Sequence, residues 1–323
     1  MRYRRLALIA TVLALTVVVL GAYVRLSDAG LGCPDWPGCY GQVMVPDAVT
    51  AGNEDFDWRP LDRGKAWKEM LHRYVAGGLG LLIVALAIVA YRDSRATKGL
   101  AAALVGLVIF QAVLGMWTVT LLLKPLIVVL HLLGGMSILA LLWWVALREN
   151  APLANARDLG GLRRWLLLAL AVVCAQIFLG GWTSANYAAL VCTDFPTCQG
   201  RWWPASDYRA GFTLWRGLGT NYEFGVLDTP ARTAIHWAHR CGALVAFSVV
   251  SLVAYKSFAV KEPRLSRVAM AMLVLLVVQV SLGIGNVMFG LPLAVATAHN
   301  GVAAALLLSL ASALHLTKPL AEP

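Results

Sequence analysis

Charge is what this sequence has least of. Only 14% of its 323 residues are Asp, Glu, Lys or Arg, against about 25% in an ordinary soluble domain. Such a chain cannot coat a wholly water-facing surface. The shortage is patterned: uncharged apolar stretches recur, each about 20 residues long, the length that crosses a bilayer. Acids are scarcer than bases, 17 against 27, which leaves a net charge of +10. A basic balance of that size raises the question of a nucleic-acid partner, and the placement of the bases answers it below. No long Arg- and Ser-rich leader precedes the first apolar run, and no small-residue cleavage site follows it closely. The run is therefore expected to stay as a helix, in a bacterial plasma membrane rather than an organelle.

Eight spans are expected, at about 6–25, 69–91, 99–122, 125–147, 163–186, 231–256, 267–289 and 292–315. Arg2, Arg4 and Arg5 precede the first span. Arg92, Arg95 and Lys98 separate the second from the third; Arg148, Arg157, Arg163 and Arg164 the fourth from the fifth; and Lys256, Lys261, Arg264 and Arg267 the sixth from the seventh. Lys318 follows the eighth. With an even number of spans, all these bases share one side, which the positive-inside rule makes cytoplasmic, with both termini. Most acids fall on the other side: Asp28, Asp35, Asp47, Glu54, Asp55, Asp57, Asp62, Asp194, Asp207, Glu223 and Asp228. The basic balance thus reflects topology and excludes a nucleic-acid partner; lipid is the surrounding medium.

The two halves repeat. Glu69 aligns with His236 and His72 with His239 at an offset of 167; His131 aligns with His299 and Gln111 with Gln279 at 168. In the loops before the second and sixth spans, Cys33, Pro37 and Cys39 align with Cys192, Pro196 and Cys198 at 159. A near-constant offset over so many special residues marks an internal repeat. Four spans per half keep both halves in one orientation, so the expected fold is an all-α integral membrane protein. Its eight transmembrane helices form two four-helix bundles, residues 1–150 and 151–323, related by a pseudo-twofold axis along the membrane normal. Three spans also share Gln-x-x-Leu-Gly, at Gln111 to Gly115, Gln176 to Gly180 and Gln279 to Gly283, while the first span keeps Leu20-Gly21 with Val17 in the Gln position. The glycines are read as places of close helix approach. For the glutamines, a polar lining near a cofactor and a hydrogen bond across helices both stand.

His72, His131, His239 and His299 hold matching places early in the second, fourth, sixth and eighth spans. Ionisable groups inside a membrane are costly and mark function by default. One imidazole from each of two facing helices, at one depth, can grip a haem iron from both faces. Zinc asks for about four ligands, more than each half offers. His236 is read as an alternative ligand, a proton relay or a surface residue near the loop, and His315 as interfacial at the cytoplasmic end. Arg73 and Arg240 each follow a ligand candidate, so haem propionates are their expected partners, in the bidentate geometry that guanidinium offers carboxylates.

The pairs Cys33/Cys39 and Cys192/Cys198 lie in outer loops, an oxidising side where disulfides persist. They are read as two loop-closing disulfides, with a thiol relay as the sharper alternative. Cys174 and Cys241 sit singly within spans and are read as buried packing residues. Glu69 lies one turn before His72. An acid at a helix start is ordinary. Its replacement by His236 in the other half points instead to different chemistry at two related sites.

The run from Arg25 to Gly41, RLSDAGLGCPDWPGCYG, together with Glu69-x-x-His72-Arg73, His131, His239-Arg240 and His299, resembles the haem A synthase family over nearly the whole chain. The resemblance implies oxidation of the C8 methyl of haem O to a formyl group, giving haem A for terminal oxidases. It implies a resident haem b on His239 and His299, and substrate haem O between His72 and His131 with Glu69 in the essential acidic position. It connects the outer cysteines with disulfide chemistry. It leaves room for the haem O synthase and an electron-transfer partner, and for a homo-oligomer. Two other classes share parts of the pattern. A di-haem b-type, quinol-oxidising electron-transfer protein would have paired histidines but no need for Glu69 to differ from His236. A repeat-built transporter would favour broken helices at the midplane, whereas the polar groups here cluster near the outer ends.

Overall fold

A computed structural model describes residues 2–48, 56, 59–92, 98–148, 152–153 and 159–318. Glu54, Asp55, Asp57, Arg95 and Arg157 of the charge pattern lie outside the described residues, as does the side chain of Arg2. The helices are α1 (Arg2–Leu26), α2 (Arg63–Arg92), α3 (Lys98–Thr120), α4 (Pro125–Leu147), α5 (Gly160–Ala185), α6 (Tyr208–Gly211), α7 (Thr229–Ala259), α8 (Pro263–Met288) and α9 (Leu293–Leu316). All but the single-turn α6 are long and apolar enough to cross a membrane. The expected spans match within a few residues. The widest gap is at α2, which begins at Arg63 instead of residue 69: the polar turn with Lys65 and Lys68 continues the helix above the apolar part, where hydropathy gives no signal.

Helix starts follow local chemistry. Asp228 caps α7 by accepting from Ala231 N at 3.0 Å, with Pro230 in the first turn, and Glu262 caps α8 ahead of Pro263. Two tight hairpins are alike: α3 passes to α4 through Leu122 and Leu123 at φ 50° and 60°, and α8 to α9 through Gly290 and Leu291 at 68° and 63°.

In the first half α1 touches α2 and α4, and α3 touches the same two, closing a ring of four. In the second, α5 touches α7 and α9, and α8 touches those two. The halves meet through α4 with α9, α1 with α9, and α4 with α5. Small residues on α1, Ala7, Ala10 and Ala14, are fully or almost fully buried, on a helix that packs against α2, α4 and α9. Lipid gives no hydrophobic drive between helices, so such close approach, with its dispersion contacts, does the holding. One apolar cluster runs through both halves and includes Leu86, Leu139, Leu142, Leu166, Val250 and Leu310. At the face bearing the termini, Trp143 Nε1 donates to Ser312 Oγ at 2.8 Å, fastening the halves, and Arg163 Nη1 donates to Leu314 O at 2.7 Å, tying α5 to α9 within the second half.

Candidate functional site: two histidine pairs beneath disulfide-closed loops

The structure brings the four histidines together in two pairs. His72 on α2 and His131 on α4 stand on opposite helices of the first ring of four, and His239 on α7 and His299 on α9 on opposite helices of the second. Each ring is half-buried and lies against a glycine of the neighbouring helix. A methyl built on Gly21 would meet His72 Cε1 at 2.9 Å; on Gly115, His131 Cε1 at 3.2 Å; on Gly180, His239 Cε1 at 3.1 Å; and on Gly283, His299 Cε1 at 3.2 Å. The repeated Leu-Gly is therefore a cradle for an imidazole. The Nδ1 atoms of His72, His131 and His299 are buried without a hydrogen-bond partner. Such orphaned donors or acceptors ask for an explanation, and two facing imidazoles on separate helices fit the axial demands of a haem iron. Among the described residues no three His, Cys, Asp or Glu side chains gather as a metal cluster.

The glutamines serve the histidines. Gln111 Nε2 donates to the His131 carbonyl. Gln176 Nε2 donates to the His239 carbonyl at 2.9 Å and lies 3.0 Å from its Nδ1. Gln279 Nε2 lies 3.2 Å from His299 Nε2. Of the two readings left open by sequence, the hydrogen bond across helices is what is seen, and its target is the candidate ligand itself.

Above each pair sits a loop closed by a disulfide, Cys33–Cys39 in one half and Cys192–Cys198 in the other, with all four cysteines buried. Each loop is folded alike. Asp35 accepts from Tyr40 N at 2.6 Å and Gly41 N at 2.8 Å; Asp194 accepts from Gln199 N at 2.7 Å and Gly200 N at 2.9 Å. The peptides before Pro37 and Pro196 are cis. Sequence reasoning placed Asp35 and Asp194 only among the outer acids. Their shared place in Cys-x-Asp-x-Pro-x-Cys was the signal that could have found them.

The arginines tie loop to helix. Arg73 Nη1 donates to the carbonyls of Asp35 (2.9 Å), Pro37 (3.3 Å) and Gly38 (2.6 Å). Arg240 donates from Nη1 to Thr197 O at 2.7 Å and from Nη2 to Cys192 O at 3.0 Å. Glu69, 5% exposed, completes the first knot by accepting from Cys33 N at 2.9 Å and Arg73 Nη2 at 2.5 Å. In the second knot His236 Nε2 accepts from Arg240 Nε at 3.2 Å. Glu69 and His236 thus hold one structural place with different chemistry.

Two expectations need correction. His236 is buried in this knot, so it is no surface residue. Cys174 and Cys241 are exposed on the outer faces of α5 and α7, not packed inside. His315, in the last turn of α9, is packed edge-on to Trp144 with ring centroids 5.4 Å apart. Sequence reasoning also missed the contacts by which the second loop, 186–228, reaches the first half. Arg59 forms a two-pronged ion pair with Glu223. Buried Lys124 donates to Gly217 O at 2.5 Å and lies 3.7 Å from the centre of the Trp215 ring. Tyr222 N donates to Leu122 O at 3.0 Å.

Eight membrane-length helices with two histidine pairs, each roofed by a disulfide-closed loop, define a multi-pass membrane protein with two related intramembrane sites. A family model described as cytochrome oxidase assembly protein matches residues 4–311. A heme A synthase of Shewanella oneidensis is 46% identical over 94% of this chain and 92% of its own length. Those of Rhizorhabdus wittichii and Bacillus licheniformis are 26% and 27% identical, covering 97% and 91% of this chain and 93% and 89% of their own lengths. The chain belongs to the haem A synthase family of cytochrome oxidase assembly proteins.

Proposed function

We propose that the chain oxidises the C8 methyl of haem O to a formyl group, giving haem A for a terminal oxidase. The observation that carries this reading is the pair of glycine-cradled histidine couples in which Glu69 of one half is matched by His236 of the other. Two equal electron-carrying sites would have no use for that difference. In this reading residues 1–150 form the substrate bundle, with haem O between His72 and His131. Residues 151–323 form the cofactor bundle, with a resident haem b on His239 and His299. The bundles are related by a pseudo-twofold axis, the termini face the cytoplasm of a bacterium and the disulfide loops face outward.

A resident haem supplies one-electron redox capacity when bound. The chain supplies position and charge. Glycines 21, 115, 180 and 283 let the imidazoles stand close to the neighbouring helices, and three glutamines fix three of the four histidines. Glu69 holds a carboxylate one turn from His72, where its charge favours positive charge developing at the substrate edge. Arg73 and Arg240 hold the roof loops down by their carbonyls, and as cations at the pocket mouths they also suit haem propionates. Turning a methyl into a formyl group removes four electrons, so an electron-transfer partner is part of this reading. The haem O synthase as supplier and a homo-oligomeric assembly are compatible with it.

Pigment extraction and chromatography of the purified chain, made in cells supplied with haem O, test the proposal. Haem B together with haem O or A is expected, and Glu69→Gln should keep the haem B and stop haem A formation. Haem B alone in the unaltered chain would sink the proposal, and an undiminished haem A yield in Glu69→Gln would remove Glu69 from it.

A further inference from the structure

The four imidazoles are not held equally. His239 and His299 have a glutamine amide against the ring itself, at 3.0 and 3.2 Å. The Gln176 amide lies on Nδ1 and the Gln279 amide on Nε2, and each contact restrains its ring. His131 is held one step back: Gln111 bonds its backbone carbonyl, and its ring Nδ1 is left without a partner. The His72 Nδ1 also lacks a partner, and α1 carries Val17 where the other three helices carry glutamine. The glycine cradle is nevertheless present, at Gly21, and is the tightest of the four. His72 thus has the same seat as the others without the amide that fixes them.

We infer that His72 is the ligand that lets go of a haem bound in the N-terminal half, and that Val17 is what leaves it free to do so. The inference rests on the haem-site reading above. A substrate haem has to enter, react and leave, which a firmly fixed pair of ligands opposes; a resident haem has no such need. The holds divide accordingly: two rings fixed in the C-terminal half, one backbone fixed and one ring unfixed in the N-terminal half. A ring in contact with an amide is held where it stands, so the ring without one is the freer of its pair. The exchange itself is redox-neutral. The bond between iron and the His72 nitrogen breaks with its electron pair staying on nitrogen, and a small neutral ligand donates a pair in its place.

Glutamine at position 17 has a template inside this chain. Opposite Gln111 and Gln176, the residues three after the histidine are Gly134 and Gly242, and each glutamine Oε1 rests against that glycine. Opposite Gln279 the corresponding residue is Val302, and that amide turns to the ring. Residue 75, three after His72, is also Val, so a glutamine at position 17 should turn to the ring as Gln279 does.

Carbon monoxide association with the reduced full-length protein, loaded with haem B as the probe, tests this. The haem-to-protein ratio is read first. A chain that takes up one haem only refutes the two-site reading and the inference with it, and is recognised by that ratio alone. With two haems bound, carbon monoxide should react with the one lost in His131→Ala and leave the other alone. Val17→Gln should slow that reaction about fivefold or more, the size of one net hydrogen bond, while Val17→Leu should leave it unchanged. The converse variant, Gln279→Val, should open the C-terminal haem to carbon monoxide. A Val17→Gln rate equal to that of Val17→Leu overturns the inference. So does a C-terminal haem that stays closed in Gln279→Val, an arm that stands even where Val17→Gln fails to fold.

Discussion

A glycine beside each imidazole decides how near two helices can stand and where the ring can lie. At Gly180 a β-carbon would come within 3.1 Å of His239 Cε1, closer than most real contacts of a β-carbon, and valine would bring two further carbons against the ring. Gly180→Val is therefore expected to lower occupancy of the haem proposed for the C-terminal half several-fold while Gly180→Ala lowers it less, read by haem content per protein. Equal occupancy in all three would remove the cradle from the site. The matched offsets along the chain are enough to single out these histidines and glycines. They do not reveal which way lone residues face. Helices apolar on every side carry no amphipathic stripe, so lipid-facing and protein-facing positions look alike. That is why Cys174 and Cys241 read as buried, the reverse of what the packing gives.

At the scale of elements, the two disulfide loops are small folded units, each organised by one aspartate. The Thr197 hydroxyl, with the N–H groups of Gly200 and Gln199, holds the Asp194 carboxyl down to about 2. An unfolded aspartate titrates near about 3.9. The folded group therefore binds its proton less readily than the unfolded one. Its stabilisation is complete above about pH 4 and lost as pH falls toward 2. Hydrogen exchange should show steady protection of the Gln199 and Gly200 amides from pH 7 to about 4 and a fall below it, with the fall absent in Asp194→Asn. Protection that stays flat to pH 2 in the unaltered chain would refute this role. The helices themselves were legible from hydropathy to within a few residues, because a span needs a minimum apolar length. The loop architecture was not, since an aspartate that accepts from backbone amides five and six residues on leaves no periodic trace.

For the molecule as a whole, the second loop reaching over the first half matters most. Glu223 is almost buried, and Arg59 is its ion-pair partner from the first loop. Arg25 adds a bond from Nη2 to Ser184 O at 2.7 Å and lies 4.2 Å from the centre of the Tyr187 ring. Arg59→Ala would strand the Glu223 carboxylate, and a charged hydrogen bond of this kind is worth about 1.5–3 kcal/mol. A lowered midpoint of thermal unfolding in detergent is expected, with part of the loss recovered in Arg59→Ala/Glu223→Ala. A midpoint unchanged in the single variant would mean that the pair holds nothing. Sequence disclosed the repeat but not this bridge: repeat logic aligns Arg59 with residue 218, a leucine, and so gives no hint that its partner is Glu223.

The span of each tie along the chain also orders events during synthesis. Each disulfide joins cysteines six residues apart within a single loop. In the proposed topology either can close once its own loop has crossed the bilayer, while the ribosome is still at work. The Arg59 to Glu223 pair spans 164 residues and the Lys124 to Gly217 bond 93, so neither exists until the second loop has been made. The first roof is thus complete while its pocket still lies open to one side, and the last outward segment to emerge before α7 shuts it.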